Sequence, residues 1–101
     1  MGDIYLKYRL NLKTGFFRSE VYTLMINVDS IKLVPEHGKV EEVIPISFTK
    51  IKTISISEGF SEEIEIRTEN DIYVGTFYKS QDISEAVKFF NMILGKRFVY
   101  S

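Results

Sequence analysis

The fold is decided by a change of sequence period at residues 82–94, which read DISEAVKFFNMIL. The apolar side chains of this segment recur with the i, i+3, i+4, i+7 spacing of one helix face. They are Ile83, Ala86, Val87, Phe90, Ile93 and Leu94. Asp82 and Glu85 resemble a capping box at the start, and Gly95 stands where a helix-ending glycine belongs. We therefore predict one amphipathic helix over about 82–94, with Phe90 in the core.

The chain before this helix alternates apolar and polar residues with a period of two, which is typical of half-buried strands. Turn signals such as Thr14-Gly15 and Asp29-Ser30 separate the alternating runs. Pro45 interrupts one run, so that strand is an edge strand or ends there. We predict seven antiparallel strands at about 4–12, 20–28, 31–35, 40–46, 52–57, 62–68 and 72–78.

The composition fits one globular domain over residues 1–101. Apolar residues make up 45% of the chain, which is enough for a core without a metal ion or a disulfide. No apolar run approaches the roughly 18 residues that a membrane span needs. Because the chain also has no cysteine, we expect a cytoplasmic protein. The apolar tail at 96–101 could add a strand, pack on the domain or meet a partner.

Three longer stretches resemble the bacterial pleckstrin-homology-like (PH-like) and GRAM-like domains. Residues 22–34, YTLMINVDSIKLV, are similar to their second and third strands, and residues 43–57, VIPISFTKIKTISIS, to their central passage. Residues 64–94 resemble their closing hairpin and helix. The resemblance implies a bent, partly open seven-stranded barrel of two nearly orthogonal sheets, with the helix closing one end and Phe90 in the place of the helix tryptophan of eukaryotic PH domains.

Catalytic and metal chemistry find little support in the sequence. His37 is the single histidine, and with no cysteine it cannot complete the usual tetrahedral metal set. The sequence has no G-x-S-x-G motif, no Walker glycine loop and no G-x-G-x-x-G motif. We therefore expect a protein that is not an enzyme, with no catalytic residues, no cofactor and no metal site.

Charge is unevenly distributed along the chain, although the net charge is only −1. Residues 1–19 hold four cations against Asp3, a net of +3, and residues 58–71 hold six acids against Arg67, a net of −5. This balance argues against a nucleic-acid partner, whose binding proteins are usually strongly basic. The opposite charges of these two segments favour contact between copies of the chain, or with another protein.

The first loop is the candidate contact site, through Lys13, Phe16, Phe17 and Arg18. Aromatic rings between cations suit an anionic membrane surface. Lys7, Arg9, Lys13 and Arg18 also give half of the basic signature of phosphoinositide-binding PH domains, but Glu20 stands where the second strand of that signature has arginine. The alternative is that the two phenylalanines start the second strand, with one in the core.

From these observations we expect a non-enzymatic protein-interaction or self-assembly module of the PH-like class. The alternative function is peripheral binding to anionic membrane lipid through the first loop, at Lys13, Phe16, Phe17 and Arg18. The expected partners are therefore a protein or further copies of the chain, with an anionic membrane as the second choice.

Overall fold

The structure, a computed structural model, describes residues 4–101. Asp3, which enters the charge count of the first segment, lies outside the described residues. Within residues 4–101, seven strands precede the helix α1 and one short strand follows it. The elements are β1 Ile4–Lys13, β2 Ser19–Asn27, β3 Ser30–Pro35, β4 Ile44–Ser47, β5 Ile51–Ser57, β6 Glu63–Thr68, β7 Ile72–Phe77, α1 Ser84–Leu94 and β8 Phe98–Tyr100.

The protein is mainly β with one C-terminal helix, as predicted. The strands form one sheet in the order β4-β3-β2-β1-β7-β6-β5-β8, so β1 lies between β2 and β7. The sheet is not closed, and its edges are β4 and β8. The prediction of a seven-stranded barrel made of two sheets is therefore wrong, because residues 4–101 form one unclosed sheet of eight strands.

The eighth strand is parallel to its neighbour, which corrects the all-antiparallel prediction. In the β5–β8 pair, Phe98 lies opposite Ile54. The backbone N–H of Ser101 donates to the carbonyl of Ile56 at 3.0 Å, and the N–H of Glu58 donates to the carbonyl of Ser101 at 2.8 Å. Parallel pairing needs a crossover connection, and α1 supplies it. The apolar tail therefore adds a strand and also packs on the domain, since Phe98 belongs to the core.

The predicted strand at 40–46 begins later than the sequence indicates. Val40–Glu42 forms a single 3-10 turn, and β4 starts at Ile44. The N–H of Glu42 donates to the carbonyl of Lys39 at 2.9 Å, so this backbone bonds within the turn rather than across a ladder. Pro45 lies in β4 at the edge of the sheet, where its missing N–H costs no ladder bond.

The helix is confirmed, but it begins at Ser84 and not at Asp82. The Asp82 carboxylate accepts the backbone N–H of Ser84 at 2.9 Å, which places Asp82 outside the first turn. The predicted return bond from Glu85 is not among the hydrogen bonds of residues 4–101. Gly95 ends the helix as predicted, with φ at +57°, a left-handed value that a Cβ disfavours.

One hydrophobic core joins the inward faces of the strands to the helix. Phe90 is fully buried, and its ring centroid lies 5.7 Å from that of Phe98 and 6.4 Å from that of Phe48. The Arg97 guanidinium donates to the carbonyls of Phe48 and Ile51 at 2.9 and 2.8 Å. Arg97 therefore ties the segment after α1 to the β4–β5 connection and to the first residue of β5.

Candidate functional site

The first loop is a short tip at the end of the β1–β2 hairpin. Lys13 and Ser19 are the last paired residues of the two strands. The backbone N–H of Thr14 donates to the carbonyl of Arg18 at 3.1 Å, which closes residues 14–18 into a turn beyond the sheet. We call residues 13–18 the β1–β2 tip.

The two phenylalanines of the tip project into solvent. Phe16 is 100% exposed and Phe17 is 98% exposed, with ring centroids 6.0 Å apart. The interpretation that one of them enters the core is therefore wrong. Burying a phenylalanine side chain is worth about 1.5–3 kcal/mol, so this ring pair would gain considerably from being covered.

The charge at the tip comes from Lys13 and Arg18, which are both exposed. Neither forms an ion pair with any residue in the part of the chain that the structure describes. Arg9 belongs to the same basic signature in the sequence. Its guanidinium instead donates to the Glu36 carboxylate at 2.7 Å, and its guanidinium carbon lies 4.9 Å from the centroid of the Tyr78 ring. The structure therefore brings two of the predicted cations to the rings and holds Arg9 elsewhere.

The β3–β4 and β6–β7 loops each carry acidic side chains. Of these acids, Glu36 is paired with Arg9, while Glu69 and Asp71 are exposed on the β6–β7 turn. His37 is 89% exposed at its side chain, and its Nε2 lies 3.6 Å from the Glu36 carboxylate. This arrangement is a solvated loop histidine beside a carboxylate already bonded to arginine.

A concave surface lies where the β5–β6 loop, the start of α1 and the end of β8 meet. Its volume is about 350 Å³. We call it the acidic groove, and it is lined by Glu58, Glu62, Gln81, Asp82, Ile83, Ser84, Val87, Lys88 and Tyr100. The sequence predicted an acidic segment but not this groove, because Asp82 and Tyr100 come from elements well separated from the β5–β6 loop along the chain.

The polar groups of the acidic groove are partly engaged with each other. The Tyr100 hydroxyl donates to the Glu58 carboxylate, and this bond raises the pKa of Tyr100. The hydrogen bond from the Ser84 N–H lowers the pKa of Asp82, which favours its charged form. Next to the groove, Phe60 is 96% exposed, with the Lys79 ammonium 5.1 Å from its ring centroid.

A further groove, about 600 Å³, lies between the β4–β5 connection and the β6–β7 turn. Lys50 and Lys52 line one part of it, and Asp71 and Tyr73 line another. Burial raises the pKa of Tyr73, and the Asp71 carboxylate raises it further. Among residues 4–101 no group of three or more His, Cys, Asp or Glu side chains is placed to hold a metal ion.

No protein-family model matches the chain, and no curated protein matches it either. Among the residues that the structure describes, no helix is long and apolar enough to cross a membrane.

Proposed function

We propose that this chain is a non-enzymatic interaction module of the PH-like class that associates with copies of itself or with another protein through the β1–β2 tip. Two features of the fold support the class. The first strand lies between β2 and β7 in the sheet, and side chains of the C-terminal helix belong to the same core as the inward faces of the strands. The stretches that resemble PH-like domains cover most of these same elements.

The observation that carries the proposal is the fully exposed ring pair, Phe16 and Phe17. Scattered exposed apolar residues need no explanation, but two adjacent aromatic rings on a closed turn form a protruding apolar patch. Aromatic residues are enriched at the centres of protein interfaces, where they fill pockets on the partner. Lys13 and Arg18, which lack ion-pair partners among residues 4–101, would then select a partner with an acidic rim.

A second candidate function is peripheral binding to an anionic membrane, and the same tip favours it. Rings at the end of a hairpin can enter the headgroup layer while adjacent cations contact lipid phosphates. Each cation near an anionic surface contributes about 1 kcal/mol. With only Lys13 and Arg18 available, the electrostatic part of such binding is modest and sensitive to salt.

The test compares the parent chain with the double variant Phe16→Ser, Phe17→Ser. Sedimentation velocity from micromolar to millimolar protein reports self-association, and a vesicle sedimentation assay with neutral or acidic lipid reports membrane binding. Met92→Gln is the matched control, since it removes an apolar side chain that is 71% exposed on α1, away from the tip.

We expect the parent to associate with rising concentration, the double variant to remain monomeric and the control to behave as the parent does. Binding of the parent to acidic vesicles at low salt, with no self-association, would support the second candidate instead. A parent that is strictly monomeric and binds neither vesicle type would show that the tip serves neither self-assembly nor a membrane.

A further inference from the structure

The acidic groove is concave and partly apolar, whereas the β1–β2 tip protrudes from the sheet. Ile83 and Val87 contribute apolar surface to its lining, and the Tyr100 ring adds an aromatic wall. Its volume, about 350 Å³, falls within the range of about 300–1,000 Å³ typical of pockets that accept compact ligands. The groove can therefore receive aromatic side chains.

The charges of the two surfaces are opposite. The groove carries the carboxylates of Glu58, Glu62 and Asp82 against one ammonium, that of Lys88. The tip carries two cations beside its rings, at Lys13 and Arg18. An apolar centre with charges of opposite sign around it is the arrangement that steers and orients protein partners.

The sheet keeps the tip of one molecule away from its own groove. Leu10 of β1 lies opposite Phe77 of β7, and the N–H of Phe77 donates to the carbonyl of Glu62 at 2.9 Å. The groove thus begins level with Leu10, whereas the tip starts at Lys13, about 10 Å further along the strand at roughly 3.4 Å per residue. The Lys13–Ser19 pairing directs the tip away from the groove. Contact between the two surfaces must therefore be intermolecular.

We propose that the β1–β2 tip of one copy docks into the acidic groove of a second copy. The inference rests on the proposed function and names its partner. The rings of Phe16 and Phe17 enter the groove, and Lys13 and Arg18 face its carboxylates. Because the two surfaces differ, the contact is heterologous and leaves a free tip and a free groove at the ends of each pair. Assembly therefore continues into open chains or a ring rather than stopping at a twofold dimer.

Two variants test this arrangement, each of which disables one of the two surfaces and keeps the other. Phe16→Ser with Phe17→Ser removes the tip and keeps the groove, while Glu62→Lys with Asp82→Asn weakens the groove and keeps the tip. The asparagine amide of the Asp82→Asn change retains an oxygen that can accept the Ser84 N–H, so α1 keeps its starting hydrogen bond. We expect each variant alone to sediment as a monomer and an equimolar mixture to form a one-to-one dimer.

A charge exchange gives an independent readout of the same contact. Arg18→Glu and Glu62→Lys should each weaken self-association roughly fivefold, the scale of an exposed ion pair, and the two together should recover most of the loss. Arg18→Glu with Glu69→Lys has the same net charge but alters the β6–β7 turn, so it should not recover. Circular dichroism of every variant verifies that the fold is kept.

The outcomes separate this inference from the proposed function. If the parent associates through the tip but groove variants associate equally well and no mixture effect is seen, the groove is not the acceptor, and the proposed function stands. If the parent is monomeric and its tip binds acidic vesicles, docking between copies is wrong and the membrane function is supported.

Discussion

Replacing Phe90 with alanine tests whether α1 holds the core together. The side chain is fully buried, and three other rings surround it, those of Phe48, Phe89 and Phe98, with centroids 5.7–6.5 Å away. Removing a buried aromatic side chain costs about 3–5 kcal/mol, from lost transfer energy and from the cavity that remains. A domain of this size has an unfolding free energy of about 5–15 kcal/mol, so Phe90→Ala should remove about a fifth or more of it.

Urea unfolding followed by circular dichroism measures the change. With an m-value of about 2 kcal/mol per molar, the midpoint should fall by roughly 2 M relative to the parent. Met92→Ala is the control on the same helix, because its side chain is 71% exposed, and it should change stability by less than about 0.5 kcal/mol. If Phe90→Ala does not fold, Phe90→Leu should still show a loss of about 1 kcal/mol. A Phe90→Ala midpoint equal to that of Met92→Ala would refute the placement of the helix in the core.

Three further perturbations test other parts of the fold. Gly95→Ala should lower the unfolding free energy by about 1 kcal/mol in a urea titration, because a Cβ is disfavoured at the observed φ of +57°; an unchanged midpoint would mean that the helix ends differently. Arg97→Met should cost about 2 kcal/mol in the same assay, since it removes two charge-assisted hydrogen bonds to the carbonyls of Phe48 and Ile51; a stabilised variant would contradict this role. Burial raises the pKa of Tyr8 above 10.0, so the folded state holds that proton more tightly than the unfolded chain. Its contribution to stability is complete below pH 10 and is lost as pH rises through the folded pKa, and Tyr8→Phe should reduce the slope of unfolding free energy against pH in that range.

The parts of the fold that were readable from sequence are those set by local periodicity. Alternation of period two located β1, β2 and β3 within one residue at each end, and the helical spacing located the end of α1. The predicted start of α1 was two residues early: the Asp82 carboxylate accepts the N–H of Ser84, the first helical residue, and the residue that directly precedes the helix is Ile83. Where possible capping residues stand close together in sequence, the first residue of the helix is not fixed to within one or two positions.

The parts that could not be predicted depend on contacts between distant segments. Three residues at 98–100 are too few to show a period, and their parallel pairing with β5 follows from where α1 returns the chain. The acidic groove likewise combines side chains from the β5–β6 loop, α1 and β8, so no single stretch of sequence predicts it.

At the candidate site, the sequence identified the aromatic and basic residues but did not predict their exposure to solvent. A run such as Phe16-Phe17-Arg18 before an alternating strand can extend the strand or form the turn. The pairing of Lys13 with Ser19 decides this, because the hairpin closes there and both rings are left beyond the sheet.

The central claim is that the β1–β2 tip is a binding surface and that its partner surface is the acidic groove of another copy. The most direct measurement is the change in amide ¹H and ¹⁵N chemical shifts of the uniformly labelled chain on dilution from millimolar to micromolar concentration. We predict concentration-dependent shifts at residues 14–18 together with residues 58–62 and 82–84, and none at the β6–β7 turn. Shifts that leave the tip unaffected, or a spectrum independent of concentration, would contradict self-association through the tip.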